Sequence, residues 1–515
     1  MTKKIIITGG VTSGVGKGVI TASISNLLKK YGLKVQPVKF DGFLNKSFGD
    51  LVGYHKKQEI IFSGEEVFVL EDGTEADSDL GVYERFINQN LKGENNIVNG
   101  SCLEEMLSEK MVHRGELIKI RPHLMRIYMK RIESLSQDSD VIILEIGGTV
   151  GDDENSFFLA LLGARCAQDK NYISLHLSYI PQDISREEIS QERGMVGGKN
   201  LLKPVKNGIL ELAKYNLFPE FVLLRGREIK IGELERIAEA TTLDMERIEV
   251  IPEVDDIYTL PKILEQGRVF KRLLNRLKLK RRELCKDHID KYLQDRVEVS
   301  KDVKILVAGE TESWDSFISL NEALKHSATS LGYRARVKWY KESDSIENYN
   351  NYDGIIITEG LERINEKMKL ARICFKIKKP LLAISAGAQI VLATLEGEQD
   401  ANKLERILLE GGMYFVKTKL FKGVRDSQID NNSALYRIIK NGGEIGRHRN
   451  DIEVDYMQIR NVRVNATYKN FVDAFEYLRD NCWIFGTIAH PEYISRPGNP
   501  NKIISAFLER CIQKW

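Results

Sequence analysis

A glycine-rich segment that ends in a lysine carries the strongest chemical signal in the sequence. A short apolar run leads into "GGVTSGVGKG" (9–18), and a helical pattern follows. Between a strand and a helix, glycines let backbone N–H groups point at phosphate oxygens, and Lys17 adds a mobile positive charge for the outer phosphates. The match to the standard phosphate loop is imperfect: Gly10 and Gly16 are separated by one residue more than usual, and Gly18 stands where a Ser or Thr would contact magnesium. The alternative, a plain glycine-rich turn, is disfavoured by the strand–loop–helix context.

Two acidic stretches could supply the carboxylates that a magnesium nucleotide needs nearby. The segment "EDGTEADSDLGVYERF" (71–86) is densely acidic, and Glu145 ends an apolar run in "ILEIGGTVGDDEN" (143–155). The carboxyl end of a strand is a normal position for a metal-site carboxylate in an open α/β sheet. On spacing alone, either stretch is equally consistent with a solvated acidic loop.

A second candidate for chemistry is "LLAISAGAQIVLA" (381–393), where an apolar run ends at Ser385 and small residues precede another apolar run. This pattern predicts a buried strand, a sharp turn and a helix start, with a spacing that lifts the Ser385 side chain beside a helix N-terminus. His490 and Glu492 follow in the order that a Ser-His-Glu hydrolase allows. Cys374 lies in a helical pattern and is predicted to be a small core residue rather than a nucleophile.

The elements that must position these residues alternate between apolar strands and helical patterns, which predicts an α/β fold with parallel sheets. The strands are expected at 4–8, 34–40, 140–146, 221–226, 303–310, 354–358, 380–384 and 483–490. The charged segment 268–300 is predicted to be an exposed linker helix that leads into a loop. Its basic cluster, Lys278 to Arg282, is most simply a solvated face.

The composition indicates an ordinary globular protein with more than one core. The 515 residues are too many for a single domain. The 76 basic and 74 acidic residues leave a formal charge of +2, which gives no indication of nucleic acid or membrane binding. The six cysteines contain no CxxC pair, and the N-terminal apolar run is far too short for a signal peptide. These features predict a reduced, cytoplasmic protein without a structural zinc site.

Several motifs resemble those of the CTP synthase family. They are "TGGVTSGVGKG", "KFDGFLN" (39–45), "EVFVLEDGTEADSDLGVYERF" (66–86), "EIGGTVGD" (145–152), "RPHLMRI" (121–127), "VDDIYTLP" (254–261), "LVAGETESWDSFISLNEALKHS" (306–327) and "AHPE" (489–492). The resemblance covers nearly the whole chain. It implies a P-loop-like amidoligase domain at 1–270, a linker at 271–300 and a class I glutamine-amidotransferase-like domain at 301–515.

In that family, ATP phosphorylates the C4 oxygen of UTP, and ammonia from glutamine hydrolysis in the second domain displaces the phosphate. The resemblance implies that Lys17 and Lys39 are the catalytic cations and that Asp79 and Glu145 bind Mg²⁺. The ATP-binding residues that it implies are Gly14, Val15, Gly16, Lys17, Gly18 and Val19. The residues that it implies for the pyrimidine nucleotide are Ser13, Asp152, Asp153, Glu154 and Lys203. It also implies a homotetramer.

The first departure from the family concerns the acceptor nucleotide. The family's UTP-binding run, of the form KTKPTQHS, aligns with "LLKPVKNG" (201–208), where only Lys203 and Pro204 are retained. A downstream family lysine aligns with Pro252, and 46–65 contains an insertion. UTP remains the expected acceptor, with another or a modified pyrimidine nucleotide as the alternative.

The second departure concerns the amine donor. The family's nucleophile motif GICLGMQ reads "AISAGAQ" here, so Ser385 replaces the catalytic cysteine, and the PGGFG-like oxyanion loop is shortened to "TEGLER" (358–363). A serine hydroxyl is much harder to deprotonate than a thiol, and a lost oxyanion donor costs about 10²–10³ in rate. Ser385, His490 and Glu492 therefore correspond to a degenerate glutaminase triad.

Four functional hypotheses follow. The favoured one is an ATP-dependent C–N ligase that takes free ammonia, a small amine or an amino acid directly. The others are a conventional glutamine-dependent CTP synthase, a non-catalytic regulatory relative and a Ser-His-Glu hydrolase. The phosphoryl-transfer residues argue against the non-catalytic relative, and the altered loop argues against both glutamine hydrolysis and a live hydrolase.

Overall fold

The computed structural model forms two compact units. It describes residues 2–10, 14–46, 61–62, 65–108, 119–180, 202–226, 229–280, 284, 286–309, 317–340, 346–440, 443–479 and 482–513. The first unit comprises Met1–Ser47, Val82–Ile87 and Glu94–Asp287. The second comprises Phe48–Gly81, Asn88–Gly93 and His288–Trp515. The acidic segment, expected within the amidoligase domain, thus groups largely with the second unit.

The strands follow one another along the chain and are numbered in that order. They are β1 (Lys3–Gly9), β2 (Val35–Asp41), β3 (Ile61–Phe62), β4 (Glu65–Val69), β5 (Glu75–Asp77), β6 (Asn96–Val98), β7 (Val141–Ile146), β8 (Tyr172–Ile180), β9 (Phe221–Gly226), β10 (Ile248–Pro252), β11 (Lys301–Ala308), β12 (Tyr333–Trp339), β13 (Gly354–Ile357), β14 (Leu381–Ile384), β15 (Phe415–Gly423), β16 (Gln428–Ile429), β17 (His448–Val454), β18 (Arg463–Tyr468), β19 (Phe471–Arg479) and β20 (Cys482–Thr487).

The helices are numbered in the same way. They are α1 (Lys17–Lys30), α2 (Ser78–Ile87), α3 (Asn99–Leu107), α4 (Ile120–Ser136), α5 (Ser156–Gln168), α6 (Leu202–Ala213), α7 (Ile231–Thr241), α8 (Leu260–Gln266), α9 (Arg268–Leu277), α10 (His288–Val297), α11 (Ile318–Ser330), α12 (Ile364–Ile377), α13 (Ala386–Leu395), α14 (Ala401–Glu410), α15 (Ala434–Ile439) and α16 (Lys502–Ile512). Short 3₁₀ turns, among them Asp153–Asn155 and Pro491–Ile494, lie between them.

The first unit is built on a parallel sheet whose strand order is β10-β9-β8-β1-β7-β2-β6. Successive residues of a strand point to opposite faces, so Ile5 and Ile143 join one apolar cluster and Ile6 and Leu144 the other. Both faces are therefore buried under helices. This explains why these strands are continuous apolar runs rather than alternating ones.

The second unit contains a mixed sheet of order β12-β11-β13-β14-β20-β19-β18-β16. Its strands are parallel from β12 to β20 and antiparallel from β20 to β16. Ile357 and Ala383 belong to one core, and Ile356 and Leu382 to the other. The predicted α/β class, with a parallel sheet in the first unit, is confirmed. The apolar strands predicted from the sequence are all present, close to their expected bounds.

The predicted exposed linker helix is wrong for the part of 268–300 that forms α9. Its apolar residues, Val269, Phe270, Leu273, Leu274 and Leu277, are buried in a core cluster of the first unit. Their spacing places them on one helix face, while the charged residues between them cover the other. Lys278 and Lys280 are exposed, as a solvated face requires, and Arg281 and Arg282 lie outside the described residues.

Among the described residues, no helix combines the length and the apolar character that crossing a membrane requires.

The central strand β7 yields a stability prediction. Leu144 is fully buried in β7, whereas Leu210 on α6 is 53% exposed. Leu144→Ala should lower the free energy of unfolding of the first unit by about 2–5 kcal/mol, because it leaves a cavity between the sheet and its helices. Guanidinium unfolding curves measure this change. Leu210→Ala is the matched control, and equal losses in the two variants would contradict the packing described.

Candidate functional site

The glycine-rich loop of the first unit connects β1 to α1. Gly14 and Gly16 have φ values of 72° and 82°, in the left-handed region that glycine adopts without strain. Gly16 is the N-cap of α1, which begins at Lys17. Backbone N–H groups at such a helix start are available to an anion. Ser13 lies outside the described residues.

The side chain of Lys17 folds back over the loop. A Cβ atom on Gly9 would lie 2.8 Å from Lys17 Nζ, so only glycine leaves room for this path. Nζ donates a hydrogen bond to the carbonyl oxygen of Gly148, 2.6 Å away. The lysine therefore joins the glycine loop to the "GGTVGD" loop that follows β7, which places a positive charge at the carboxyl edge of the sheet.

Lys39 and Glu145 form a buried ion pair on neighbouring strands. They lie directly opposite each other in the register of β2 and β7, and Lys39 Nζ is 3.2 Å from Glu145 Oε1. The hydroxyl of Tyr83 donates to the other carboxylate oxygen. The structure thus brings together two of the residues predicted for phosphoryl transfer, Lys39 and Glu145, and adds a tyrosine that the sequence analysis missed.

The loop after Glu145 is held by its own polar side chains. Asp152 accepts hydrogen bonds from the backbone N–H and from the hydroxyl of Thr149, and Asn155 Nδ2 donates to Gly147 O at 2.8 Å. Asp153 and Glu154 are exposed in the adjoining 3₁₀ turn. Asp152 therefore shapes the loop, and a contact between this segment and a pyrimidine nucleotide stays a prediction. The same holds for Lys203, which is exposed on α6.

Arg225, at the carboxyl end of β9, is a residue that the sequence analysis missed. A Cβ atom on Gly16 would lie 3.1 Å from Arg225 Nη1, so the guanidinium lies against the glycine loop. Its Nε and Nη1 are buried and have no hydrogen-bond partner among the described residues. Burial lowers the pKa of Arg225, and Glu253 opposes that effect. The signal in the sequence was an arginine at the end of the predicted strand "FVLLRG".

A neutral histidine lies behind the loop. His176 on β8 is completely buried, its Nδ1 is 2.9 Å from the hydroxyl of Thr8, and burial and Lys17 lower its pKa to about 3. A Cβ atom on Gly208 would lie 2.6 Å from His176 Nε2. The altered segment 201–208 therefore packs a glycine directly on this ring, where the family motif has a serine.

Asp79 belongs to the second unit, whereas Glu145 belongs to the first. Asp79 lies in the first turn of α2, and its backbone N–H donates to Asp77 Oδ1 at 2.7 Å. Within the ranges that the structure describes, no group of three or more His, Cys, Asp or Glu side chains is arranged to hold a metal ion. The assignment of Asp79 and Glu145 to one magnesium site stays a prediction.

The turn at Ser385 has the strained backbone of a nucleophile elbow. Its φ and ψ are 55° and −125°, which a non-glycine residue adopts only where its surroundings enforce it. Its N–H donates to Thr487 O at 2.8 Å. A Cβ atom on Gly387 would lie 2.3 Å from Ile357 O, so this glycine allows α13 to pack closely on β13. The predicted strand, turn and helix are confirmed.

His490 and Glu492 interact directly near the end of β20. His490 Nδ1 is 2.8 Å from Glu492 Oε1, and the imidazole stacks on Tyr493 with ring centroids 5.1 Å apart. Because β14 and β20 are parallel, with Ile384 opposite Thr487, Ser385 and His490 follow the same edge of the sheet. Burial lowers the pKa of His490, but Glu492 and then Glu359 outweigh it, so the pKa lies above its ordinary value.

Cys374 is fully buried in the core that contains α12, and burial raises the pKa of its thiol. The prediction that it is a core residue rather than a replacement nucleophile is confirmed.

A segment from the N-terminal half of the chain packs against residues that contact His490. The backbone of Arg447 exchanges hydrogen bonds with that of His490, while its guanidinium donates to Val69 O at 2.9 Å. The hydroxyl of Tyr493 donates to Val67 O at 3.2 Å. Residues that flank His490 therefore bind the backbone of β4 within the second unit.

Two family models match the chain. The model described as "CTP synthase N-terminus" matches residues 3–279, and that described as "Glutamine amidotransferase class-I" matches residues 313–510.

Curated relatives match over the full length. A CTP synthase from Methanothermobacter thermautotrophicus is 27% identical over 100% of this chain and 99% of its own. One from Sulfolobus acidocaldarius is 29% identical over 99% of each. A solved structure described as the glutaminase domain of Trypanosoma brucei CTPS with bound acivicin covers 41% of this chain and 95% of its own, at 18% identity and a TM-score of 0.35.

The position of Arg225 yields a binding prediction. Arg225→Met should weaken binding of a non-hydrolysable ATP analogue by about tenfold or more, because a hydrogen bond to a charged group contributes roughly 1.5–3 kcal/mol. Isothermal titration calorimetry measures the affinity. Arg276→Met is the control, since its guanidinium pairs with Glu220 in the same unit. Equal affinities in the two variants would remove Arg225 from the site.

Proposed function

The chain belongs to the CTP synthase family, and on that premise we propose that it aminates the C4 position of UTP, or of a related pyrimidine nucleotide, with free ammonia or a small amine. ATP-dependent C–N ligase activity follows from the family membership. The proposal goes beyond the family in the amine donor, which is ammonia, a small amine or an amino acid supplied directly instead of ammonia derived from glutamine.

The observation that carries the proposal is the serine at the nucleophile elbow. Ser385 has the backbone geometry that presents a nucleophile, but a cysteine thiol ionises near pH 8.5 and a serine hydroxyl does not. Serine must lose its proton during attack and depends on a neutral base. The raised pKa of His490 opposes that role. The phosphoryl-transfer residues of the first unit, by contrast, are kept.

The residues of the first unit suit phosphoryl transfer, which needs positioning and charge neutralisation more than covalent chemistry. Lys17 and the N–H groups of the glycine loop would hold the ATP phosphates. Arg225, with two buried nitrogen atoms that lack a partner among the described residues, offers further donors to the same group. Lys39 would stabilise the transferring phosphoryl group on the C4 oxygen.

The carboxylates that are expected at this site are suited to an Mg²⁺ ion that is bound together with a nucleotide. Bound to a nucleotide, it neutralises phosphate charge, and it is commonly held by one or two carboxylates while waters and phosphate oxygens complete its shell. Glu145 would supply one such carboxylate in the first unit, and Asp79 is the second that the family resemblance implies. Both oxygens of Glu145 accept hydrogen bonds, from Lys39 and from Tyr83, and this fixes the orientation of the carboxylate.

A conventional glutamine-dependent CTP synthase is the second candidate. The amidotransferase match over 313–510 favours it, as do the elbow backbone of Ser385 and the short contact between His490 and Glu492. A non-catalytic regulatory relative and a Ser-His-Glu hydrolase remain weaker alternatives, because neither needs the buried pair of Lys39 and Glu145.

We also propose that the protein is a homotetramer in the cytoplasm. Light scattering would test the oligomeric state, and cell fractionation would test the location.

Product analysis separates the donor hypotheses. With Mg-ATP and UTP, ammonium should support nucleotide synthesis at least about tenfold faster than glutamine, because an effective glutaminase is absent. Mass spectrometry of the product identifies the amine, and an amino-acid adduct would reveal an altered donor. Turnover with glutamine equal to that with ammonium would overturn the proposal, and no ATP hydrolysis with any donor would favour the regulatory relative.

Single substitutions test which part of the chain carries out nucleotide synthesis. Lys17→Ala should abolish synthesis with every donor, because the phosphates lose their main cation. Lys170→Ala, an exposed lysine of the same unit, should be neutral, and Ser385→Ala should leave ammonium-dependent rates unchanged. Rates are measured by ADP release. An active Lys17→Ala variant would contradict the assignment of the phosphate loop.

A further inference from the structure

We propose that Glu359 is a specificity-determining residue that excludes glutamine as the amine donor. Its carboxylate lies beside the imidazole nitrogen of His490 that would have to serve the nucleophile. The inference rests on the proposed function and deepens it. On this proposal two independent changes prevent glutamine hydrolysis in this site. One is the loss of the cysteine, and the other is the presence of Glu359.

The topology brings Glu359 to this position. Strands β13, β14 and β20 are parallel neighbours, with Ile357 opposite Ala383 and Ile384 opposite Thr487. Glu359 follows β13 just as Ser385 follows β14 and His490 follows β20, so the three side chains belong to one edge of the sheet. In the family this loop is glycine-rich and supplies oxyanion donors, whereas here it carries an acid.

The carboxylate faces the functional nitrogen of the ring. Glu359 Oε2 is 3.9 Å from His490 Nε2, within ion-pair distance, and Glu492 occupies Nδ1. His490 Nε2 is buried and has no hydrogen-bond partner in the described part of the chain. The imidazole is therefore flanked by two carboxylates. Tyr493 stacks on the ring, and the charge of Arg449 acts against protonation.

The loop that carries Glu359 is fixed in place by a buried lysine. Lys367 on α12 is 1% exposed, and its Nζ donates to the carbonyl oxygens of Glu359 and Gly360 at 2.9 and 2.7 Å. Glu359 itself is 3% exposed. The acid is thus held inside the site, where solvent does little to screen its charge.

This arrangement disfavours either kind of nucleophile. A serine needs a neutral imidazole as base, and two carboxylates favour the charged ring. A cysteine uses a thiolate beside an imidazolium, but a third negative charge next to that pair opposes both the thiolate and the oxyanion that forms when glutamine is attacked. Restoring the cysteine alone should therefore leave the site inactive.

The test compares Ser385→Cys, Glu359→Gly and the double variant in the full-length protein. In a working site, residue 385 attacks Cδ of glutamine, ammonia leaves with a proton from the imidazolium, and water then releases glutamate. Glutamate release should stay at background in both single variants and rise by at least about tenfold in the double variant. Covalent labelling of the thiol that Ser385→Cys introduces, by a chloroketone analogue of glutamine and read as a mass increase, should be stronger in the double variant than in Ser385→Cys alone.

A second readout does not depend on restored catalysis. Histidine NMR titration should place the pKa of His490 above its ordinary value in the native protein, and Glu359→Gln, which keeps the size and removes the charge, should lower it. The inference would be overturned if the Ser385→Cys variant hydrolysed glutamine as fast as the double variant. It would also be overturned if the pKa of His490 were unchanged in Glu359→Gln. Ammonium-dependent synthesis, measured in every variant, reports separately on the proposed function and on folding.

Discussion

The ion pair between Lys39 and Glu145 is the constraint on which the first unit's site depends. The two side chains are 4% and 0% exposed and lie opposite each other on the neighbouring parallel strands β2 and β7. Removing one partner of a buried pair costs about 3–5 kcal/mol, yet an apolar pair of similar volume is often as stable or more so. The stability of the fold alone therefore does not explain why a charged pair, rather than an apolar pair, occupies these two positions. The proposed phosphoryl transfer would account for a lysine and a carboxylate at the carboxyl edge of the sheet, because it uses cations on the phosphates and carboxylates on the metal.

In the second unit the buried charged groups around His490 are balanced differently. His490, Glu492 and Glu359 are all buried, and charges excluded from water must neutralise one another. In the first unit one cation meets one carboxylate, and Tyr83 satisfies the remaining oxygen. In the second unit one imidazole lies beside two carboxylates, Glu492 and Glu359, which together raise the pKa of His490 above its ordinary value. A proton-transfer base needs the opposite balance.

The sequence predicted the elements whose signal is local. Strands such as β1, β7 and β14 are buried on both faces, so their residues form apolar runs that stand out. Strand β8 was missed because Ser174, His176 and Ser178 interrupt its apolar pattern on one face. Arg225 was missed because an arginine at a strand end has many uses, and only its contact with Gly16 makes it specific.

Long-range pairing is the part that the sequence could not provide. The acidic segment around Glu75 was expected to serve the first domain, but Glu75 accepts from Arg449 at 2.7 Å, 374 residues further along the chain. No periodicity or local motif encodes such a partner. The altered loop at 358–363 was recognised, but the position of Glu359 beside His490 follows only from the order of three parallel strands.

The retention of His490 has a structural explanation that does not involve catalysis. Its backbone pairs with Arg447 and its ring stacks on Tyr493, and those two residues bind the backbone of β4 at Val69 and Val67. Replacing the histidine would disturb a fully buried ring at this junction, and losses of that kind are among the costliest in a core. The interactions that fix β4 are therefore independent of whether residue 385 is a nucleophile. This packing holds whether or not the unit hydrolyses glutamine, so the presence of His490 beside Glu492 is a weak argument for glutaminase activity.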